Sequence, residues 1–413
     1  MNFIQNYIKS PIYKLFDNKE LSEADHILFI LVSLLITIGV IFSYSLSVYT
    51  VEIFSYNQFH YILRQGLVAF LSISIIWIFT KLNPYYVISK VGMSLFAIGF
   101  LLMFIMPFLP SSFVTASGGA NRWIRLPGFS LSPVEFFKVG FVYFLSWSFY
   151  RKIIHRPKVN LFGEFKMLFP YFGVFVLVVI FVAFFQKDLG QVFLLAVVMI
   201  VLTVFANRTI KILLTLCALC IFGLIALIIV APHRINRFHS WWSMSQDTFL
   251  AFLPSDWQKI FRVENLPEPY QVSQSLNAIH NGGFFGKGVG FGEIKMGFLS
   301  EVHTDFVLAG ITEEIGWIGF IFIIILFFSI IWRIFKIAKL VENKIFYLFC
   351  TSIALMIILS FFINSFGISG LIPIKGMAVP MVSYGGSSLL ANAFAIGMVL
   401  CISRTVKSEK GVS

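Results

Sequence analysis

Of the 413 residues, 58% are hydrophobic, only 12% are charged and 50 are phenylalanine. A soluble domain of this size needs far more charge to keep its surface wet, so the composition excludes an ordinary soluble enzyme. The formal net charge of +12 would suit a nucleic-acid binder, but the Lys and Arg residues fall between apolar runs. That is a pattern of membrane topology, and it leaves nucleic acid out as a partner.

Residues 1–25 are polar and mixed, too polar for a cleavable signal peptide, and no small-residue cleavage site follows. The first apolar run is therefore expected to be retained. A crossing helix needs roughly 20 apolar residues, and such spans are expected over 26–46, 61–80, 91–109, 134–149, 168–185, 189–206, 211–231, 304–332, 346–366 and 383–402. The fourth is short and interrupted by Glu135 and Lys138. Lys9, Lys14 and Lys19 precede the first span. Lys81 and Lys90, then Arg151, Lys152, Arg156, Lys158 and Lys166, then Arg208 and Lys211 occupy alternate connections, followed by Arg333, Lys336, Lys339 and Lys344, and by Arg404, Lys407 and Lys410. The intervening stretch 47–60 contains no Lys or Arg. By the positive-inside rule both termini are expected to be cytoplasmic. The expected fold is an all-α polytopic membrane domain over 26–402, with ten transmembrane helices and a cytoplasmic tail over 403–413. Cys217, Cys220, Cys350 and Cys401 all lie in apolar runs and read as packing residues.

The long connection 232–303, between the seventh and eighth spans, then faces the periplasm. It carries Trp241, Trp242 and Trp257, suited to a membrane interface, and the acids Asp247, Asp256, Glu264, Glu268, Glu293 and Glu301. A loop this long points to function. Arg122 and Arg125 are positive charges on the same face; their guanidinium forks suit phosphate or carboxylate, while the plainer alternative is snorkelling to lipid phosphates. The run Gly282-Gly283-Phe284-Phe285-Gly286-Lys287-Gly288-Val289-Gly290 lacks the spacing of a nucleotide-binding loop.

Charge inside a membrane is expensive, so each case needs a reason. Glu135 and Lys138, three apart, pair on one helical face, either locking helix packing or forming a polar floor beneath a substrate headgroup. Asp188 caps the sixth span or lines a cavity. Glu313 and Glu314 are adjacent on the eighth span, so at most one shares a cavity with Asp305.

Several segments in order resemble the SEDS family of lipid-linked peptidoglycan glycosyltransferases. They are Asn121-Arg122-Trp123-Ile124-Arg125 running to Ser132-Pro133-Val134-Glu135-Phe136-Phe137-Lys138; Gln186-Lys187-Asp188-Leu189-Gly190; Tyr270-Gln271 with Gln274-Ser275-Leu276; the glycine run; Glu301-Val302-His303-Thr304-Asp305-Phe306; and Pro380-Met381-Val382-Ser383-Tyr384-Gly385-Gly386-Ser387-Ser388. Ile374-Lys375-Gly376 looks more like the division branch of the family than the elongation branch. The resemblance implies polymerisation of lipid II into glycan strands at the outer face of the bacterial inner membrane, at the division septum. In that reaction an acceptor sugar hydroxyl attacks the anomeric carbon of a pyrophosphate-linked donor, which needs a carboxylate base and cations. It implies Arg122, Arg125, Glu135, Lys138, Asp188, His303, Asp305 and Ser387 as substrate-binding candidates. Family members carry an essential Asp soon after the seventh span, close to the Tyr-Gln motif; here about thirty residues separate Arg237 from Tyr270. Asp247 is the candidate base, with Asp256 and Glu264 as alternates. Other partners implied are a class B penicillin-binding protein, further division proteins and membrane lipids. A divalent cation, magnesium or manganese, is compatible with the chemistry, although no ligand cluster demands one. A lipid II flippase or a scaffold is the competing class, distinguished by having no need of a general base in the acidic loop.

Overall fold

The computed structural model describes residues 21–110, 112–117, 120–126, 129–206, 208–263 and 269–406. Glu264 and Glu268 lie outside the described residues, as do Lys9, Lys14, Lys19, Lys407 and Lys410. In chain order the helices are α1 (His26–Ser45), the short α2 (Val48–Ile53), α3 (His60–Phe79) and α4 (Pro84–Ile105). A small antiparallel sheet follows, β1 (Val114–Ser117), β2 (Ala120–Leu126) and β3 (Phe129–Leu131), with β2 in the middle. Then come α5 (Pro133–Phe149), α6 (Leu161–Val179), α7 (Leu189–Phe205), α8 (Ile210–Ile229), α9 (Pro232–Leu250), α10 (Ser255–Phe261), α11 (Tyr270–Gly282), α12 (Val307–Leu340), α13 (Lys344–Ile368) and α14 (Gly386–Ser403).

The chain is a polytopic helical membrane protein. Among the described residues, 8 helices are long and apolar enough to cross a bilayer. The 17-residue helices α5 and α7 occupy the two remaining expected positions. Where boundaries differ from expectation, capping explains it. The third span begins at Pro84 rather than 91 because Asn83 accepts the Tyr85 N–H and Pro84 suits the first turn. The fifth begins at Leu161 rather than 168 because Asn160 accepts the Gly163 N–H. Hydropathy marks the apolar stretch of a helix, and the cap marks its end. The eighth, α12, continues past 332 to Leu340, anchored by a 2.7 Å ion pair between Arg333 and Asp25.

The all-α reading holds for the membrane domain, and two features add to what the sequence predicts. The segment around Arg122 is a strand, and the 232–303 connection holds three helices. In the sequence the dipeptides Gly118-Gly119 and Pro127-Gly128 flank 120–126, a spacing of turn-type dipeptides that signals a strand between them.

The bundle centre is formed by α5, α7, α13 and α14. In α14, 78% of the apolar window is buried, against 11% in α8, which leaves α8 at the rim. Lipid offers no hydrophobic drive for one helix to join another, so close approach of backbones must supply it. The α4–α5 contact does this with glycine: Gly92 sits against the Tyr143 ring, Gly99 against the Phe137 backbone and Gly140 against the backbone of Phe96. A Cβ on Gly140 would fall 2.1 Å from the Phe96 nitrogen, whereas one on Gly223 of α8 would meet nothing within 4 Å. Gly140→Val is therefore expected to cost about 2–3 kcal/mol, read as a lowered thermal midpoint in detergent, with Gly223→Val unchanged. Equal midpoints for the two would refute this packing.

Ser22 N–H donates to the Arg404 carbonyl at 2.9 Å and Asp25 N–H to Ser403 Oγ at 3.0 Å. The described ends of the chain thus meet on one face, the basic face, as an even number of crossings requires. The opposite face, the loop face, carries the hairpin, α9 to α11 and the 369–385 connection.

Candidate functional site

The loop face is organised around a widened turn. Residues Ile180–Phe185, at the end of α6, form a π-helical turn, a geometry that leaves carbonyls without their usual partners. Arg234, near the start of α9 and buried, donates to Ala183 O at 2.6 Å and to Leu227 O at 2.6 Å. Arg122, on β2, donates to Gln186 O at 3.0 Å and Lys187 O at 3.1 Å. The two guanidinium groups thus clasp the turn from either side and place Asp188 beyond it. Asp188 caps α7, accepting the Gln191 N–H at 3.4 Å, a length that leaves the carboxylate free for other contacts.

Asp305 arrives from another direction. It lies in the turn before α12, and its carbonyl accepts the Asn364 side chain at 2.6 Å while the same amide donates to Met377 O at 2.8 Å. Its carboxylate rests on Gly376, where a Cβ would fall 2.3 Å from Oδ2. The neighbouring Lys375 packs its Cβ near Gly190, beside Asp188. One short connection therefore joins Asp188 and Asp305 through Lys375-Gly376. Three non-glycine residues with left-handed backbone, Lys187 (φ 51°), Glu301 (φ 56°) and Met381 (φ 67°), border this region. Such strain persists only where surrounding contacts over-determine it.

The electrostatics are unbalanced. Burial pushes the Asp305 carboxyl up to about 6, with Glu301 and Asp188 adding to the shift and Arg122 opposing it. Burial pushes the Lys375 ammonium down to about 8; Asp188 opposes this, while Arg237, Arg234 and Arg122 add to it. Both groups therefore titrate close to neutral pH, and four cations, Lys375, Arg122, Arg234 and Arg237, face three acids, Asp305, Asp188 and Glu301. A bound anion would relieve that positive excess.

A narrow cavity inside the bundle, about 20 Å³ and so roomy enough for a water, has Glu135, Lys138, Gln191, Ser360, Ser388 and Asn392 among its lining residues. Glu135 and Lys138 pair at 3.0 Å, both largely buried, and Gln191 donates to Glu135 at 2.9 Å. The pair sits on the cavity wall. Ser387 is used otherwise: its Oγ accepts the Ser132 N–H at 2.9 Å and donates to Ser130 O at 2.9 Å, tying β3 and α5 to α14. His303 is buried between the rings of Tyr61 and Tyr384, at 5.0 and 5.6 Å. Burial lowers its pKa despite the nearby Glu301, and its Nδ1 has no partner among the described residues.

The remaining sequence candidates stand apart. Asp247, in the last turn of α9, is exposed and pairs with Arg262. Asp256 is exposed in the first turn of α10, where the helix N-terminus favours an acid in any case. Arg125 lies exposed on β2. None of the three enters the electrostatic surroundings of Asp305 or Lys375. Glu313 and Glu314 do not face Asp305; both are buried in contacts with the 281–295 segment and α1. Sequence reasoning missed Lys375, Arg234 and Arg237 as site residues. Their signal was present: each is a cation on the loop face, against the positive-inside trend. Among the described residues no three His, Cys, Asp or Glu side chains converge as metal ligands, and Asp188 and Asp305 share their surroundings with cations. A preformed divalent-cation site does not fit here.

Comparison with known proteins bears on this geometry. The family described as cell cycle protein, FtsW/RodA/SpoVE, matches residues 25–408. A Helicobacter pylori protein named probable peptidoglycan glycosyltransferase FtsW is 46% identical over 388 residues, which is 93% of this chain and 99% of the relative. Stage V sporulation protein E of Bacillus subtilis is 30% identical over 384 residues, 92% of this chain and 97% of its own. The solved structure of the Thermus thermophilus rod shape determining protein RodA shares the fold with a TM-score of 0.61 at 19% identity, covering 94% of this chain and 98% of that one. A chain from a solved peptidoglycan synthase complex matches with a TM-score of 0.65, also at 19% identity, over 94% of this chain and 99% of its own.

Proposed function

The chain belongs to the FtsW, RodA and SpoVE family of cell cycle proteins, and from that premise we propose that it is a peptidoglycan glycosyltransferase polymerising lipid II into glycan strands during division. The observation that carries this is the cluster of Arg122, Arg234, Arg237 and Lys375 around Asp188 and Asp305 on one face of a membrane bundle. In the reaction, a sugar hydroxyl gives its proton to a carboxylate while its oxygen bonds to the anomeric carbon of the donor. The bond from that carbon to the lipid pyrophosphate breaks, and the pyrophosphate leaves with one more negative charge. Arg122 and Lys375 hold that charge, and Arg234 and Arg237 raise the local positive potential. Of the described acids, Asp305 has the surroundings of a general base, because a carboxyl at about 6 is ionised at neutral pH yet basic enough to take a proton. The pair Glu135–Lys138 forms the floor below. No nucleotide is required, since cleavage of the pyrophosphate link drives the step.

This reading places the loop face in the periplasm and both chain ends in the cytoplasm, with the protein in the bacterial inner membrane at the septum. The excess of Lys and Arg on the basic face supports that orientation. The partner it implies is a class B penicillin-binding protein that cross-links the new strands; the likeness to a chain from a peptidoglycan synthase complex supports it.

The test is polymerisation of labelled lipid II by the purified chain with its transpeptidase, comparing wild type with Asp305→Asn, Asp247→Ala, Asp256→Ala and Glu264→Ala. Glycan from wild type and none from Asp305→Asn is the expected result. Product from Asp305→Asn with loss in one of the other three would move the base to that acid. No product from wild type would leave lipid II flipping as the assay to run.

A further inference from the structure

We propose that a groove between α5 and α6 on the basic face binds an anionic glycerophospholipid, with its phosphate on Lys152 and Arg156 and an acyl chain along Phe144, Met167 and Val174. The groove has a volume of about 280 Å³ and is walled by those residues together with Trp147, Pro170 and Tyr171. Its floor is closed where Ser148 Oγ meets Tyr171 OH at 3.1 Å. It is separate from the site described above: Lys152 lies seventeen residues beyond Glu135 on one continuous helical run, roughly 25 Å along the axis.

The rim is built, not a loose run of lysines. The helix widens into a π turn over Tyr150–Ile154, which rotates the cations that follow out of the α-helical register. Arg208, arriving from the turn before α8, donates to Ile153 O and Arg156 O at 2.9 Å each and to Pro157 O at 3.5 Å. Arg151 is stacked on Trp147, 5.0 Å from the ring centre. With Arg151 and Arg208 occupied in holding the segment, the exposed Lys152 and Arg156 are left at the groove mouth.

Among the described residues neither forms an ion pair. Between Arg151 and Lys166 the only acid is Glu164, and it is fully buried, accepting the Thr209 hydroxyl at 2.6 Å and the Thr209 N–H at 3.3 Å. An apolar trough opening beside two uncompensated cations, at the end of a bilayer-spanning helix pair, complements a lipid that carries a phosphate and no balancing amine. Basic pockets between transmembrane helices take such headgroups.

Native mass spectrometry of the full chain tests this. The chain is delipidated in detergent, then supplied with phosphatidylglycerol, phosphatidylcholine or undecaprenyl phosphate. Wild type is expected to retain phosphatidylglycerol over phosphatidylcholine by about tenfold. Lys152→Ala with Arg156→Ala should abolish that preference, and so should Val174→Trp, which fills the trough and leaves the charges intact. Lys336→Ala with Lys339→Ala removes two exposed cations from the same face and should leave the preference unchanged. Equal loss in that control, or retention in Val174→Trp, would show a diffuse charge effect and overturn the site. A preference for undecaprenyl phosphate over phosphatidylglycerol would assign the groove to the substrate lipid and overturn it equally.

Discussion

Lys295→Met is expected to lower the unfolding free energy by about 3–5 kcal/mol, the largest single-residue loss foreseen for this protein. Lys295 lies in the segment between α11 and α12, yet its side chain is 1% exposed and pairs at 2.6 Å with Glu314, which is 0% exposed. Its ammonium also donates to the Ser45 carbonyl at 3.0 Å and approaches Ser45 Oγ at 3.2 Å. Ser45 Oγ lies 2.6 and 2.7 Å from the two carboxylate oxygens of Glu314. Removing the lysine leaves a buried carboxylate with one hydroxyl for company. The double variant Lys295→Met with Glu314→Gln removes both charges and should recover most of the loss, because replacing a whole buried pair is far cheaper than breaking one. Thermal unfolding in detergent reads both. A single variant as stable as wild type, or a double variant no better than the single, would sink the argument.

That triad also explains the glycine run. Glu313 accepts the N–H groups of Glu293 and Ile294 at 2.8 and 2.9 Å, and the carbonyls of Glu313 and Glu314 accept Lys287 N–H and Gly288 N–H at 3.0 and 2.9 Å. Gly316 breaks α12 with φ 67°, and Trp317 N–H then donates back to Gly283 O at 2.9 Å. A Cβ on Gly286 would stand 2.3 Å from the Glu314 carbonyl oxygen. The glycines let one backbone lie directly on another. Their purpose is docking the loop to α12, which is why the run never had the spacing of a phosphate-binding loop.

What could be read from the chain alone follows a physical division. Each expected span has its helix, because bilayer thickness imposes a long apolar stretch that survives any packing detail. Glu135 and Lys138 were legible as a pair because spacing on one helix fixes their meeting. Lys375 and Asp305 were not, since what joins them is the bare Cα of Gly376 in a connection seventy residues downstream. Lys295 was hidden for the same reason: it stands among loop residues in sequence, and only the fold over Ser45 and Glu314 buries it. Asp247 is the sequence candidate because the family carries an Asp soon after the seventh span. In the folded chain α9 turns it outward to Arg262, beyond the reach of the cation cluster.

The rate of polymerisation should follow a bell-shaped curve in pH, with kcat/KM falling below about 6 and again above about 8. The acid limb belongs to Asp305, which must be ionised to take the hydroxyl proton and is pushed up to about 6; lowering the pH through that value protonates it. The alkaline limb belongs to Lys375, pushed down to about 8; raising the pH through that value removes the charge offered to the leaving pyrophosphate. kcat/KM reports the free enzyme, so these are the limbs that apply. Lys375→Arg keeps the cation throughout the range and should retain activity while moving the alkaline limb upward. Asp305→Asn should abolish activity without unfolding the protein. The sign of its stability effect is itself diagnostic. A carboxyl raised from 3.8 to about 6 on folding binds its proton more tightly in the native state, so native stability falls as pH rises through that window, and the cost is fully present at neutrality. The neutral amide removes that cost, and Asp305→Asn should be as stable as wild type at pH 7, or more so. A residue retained for structure would behave oppositely. An alkaline limb unmoved by Lys375→Arg would remove Lys375 from the site, and a destabilised, partly active Asp305→Asn would return the search for the base to the loop acids.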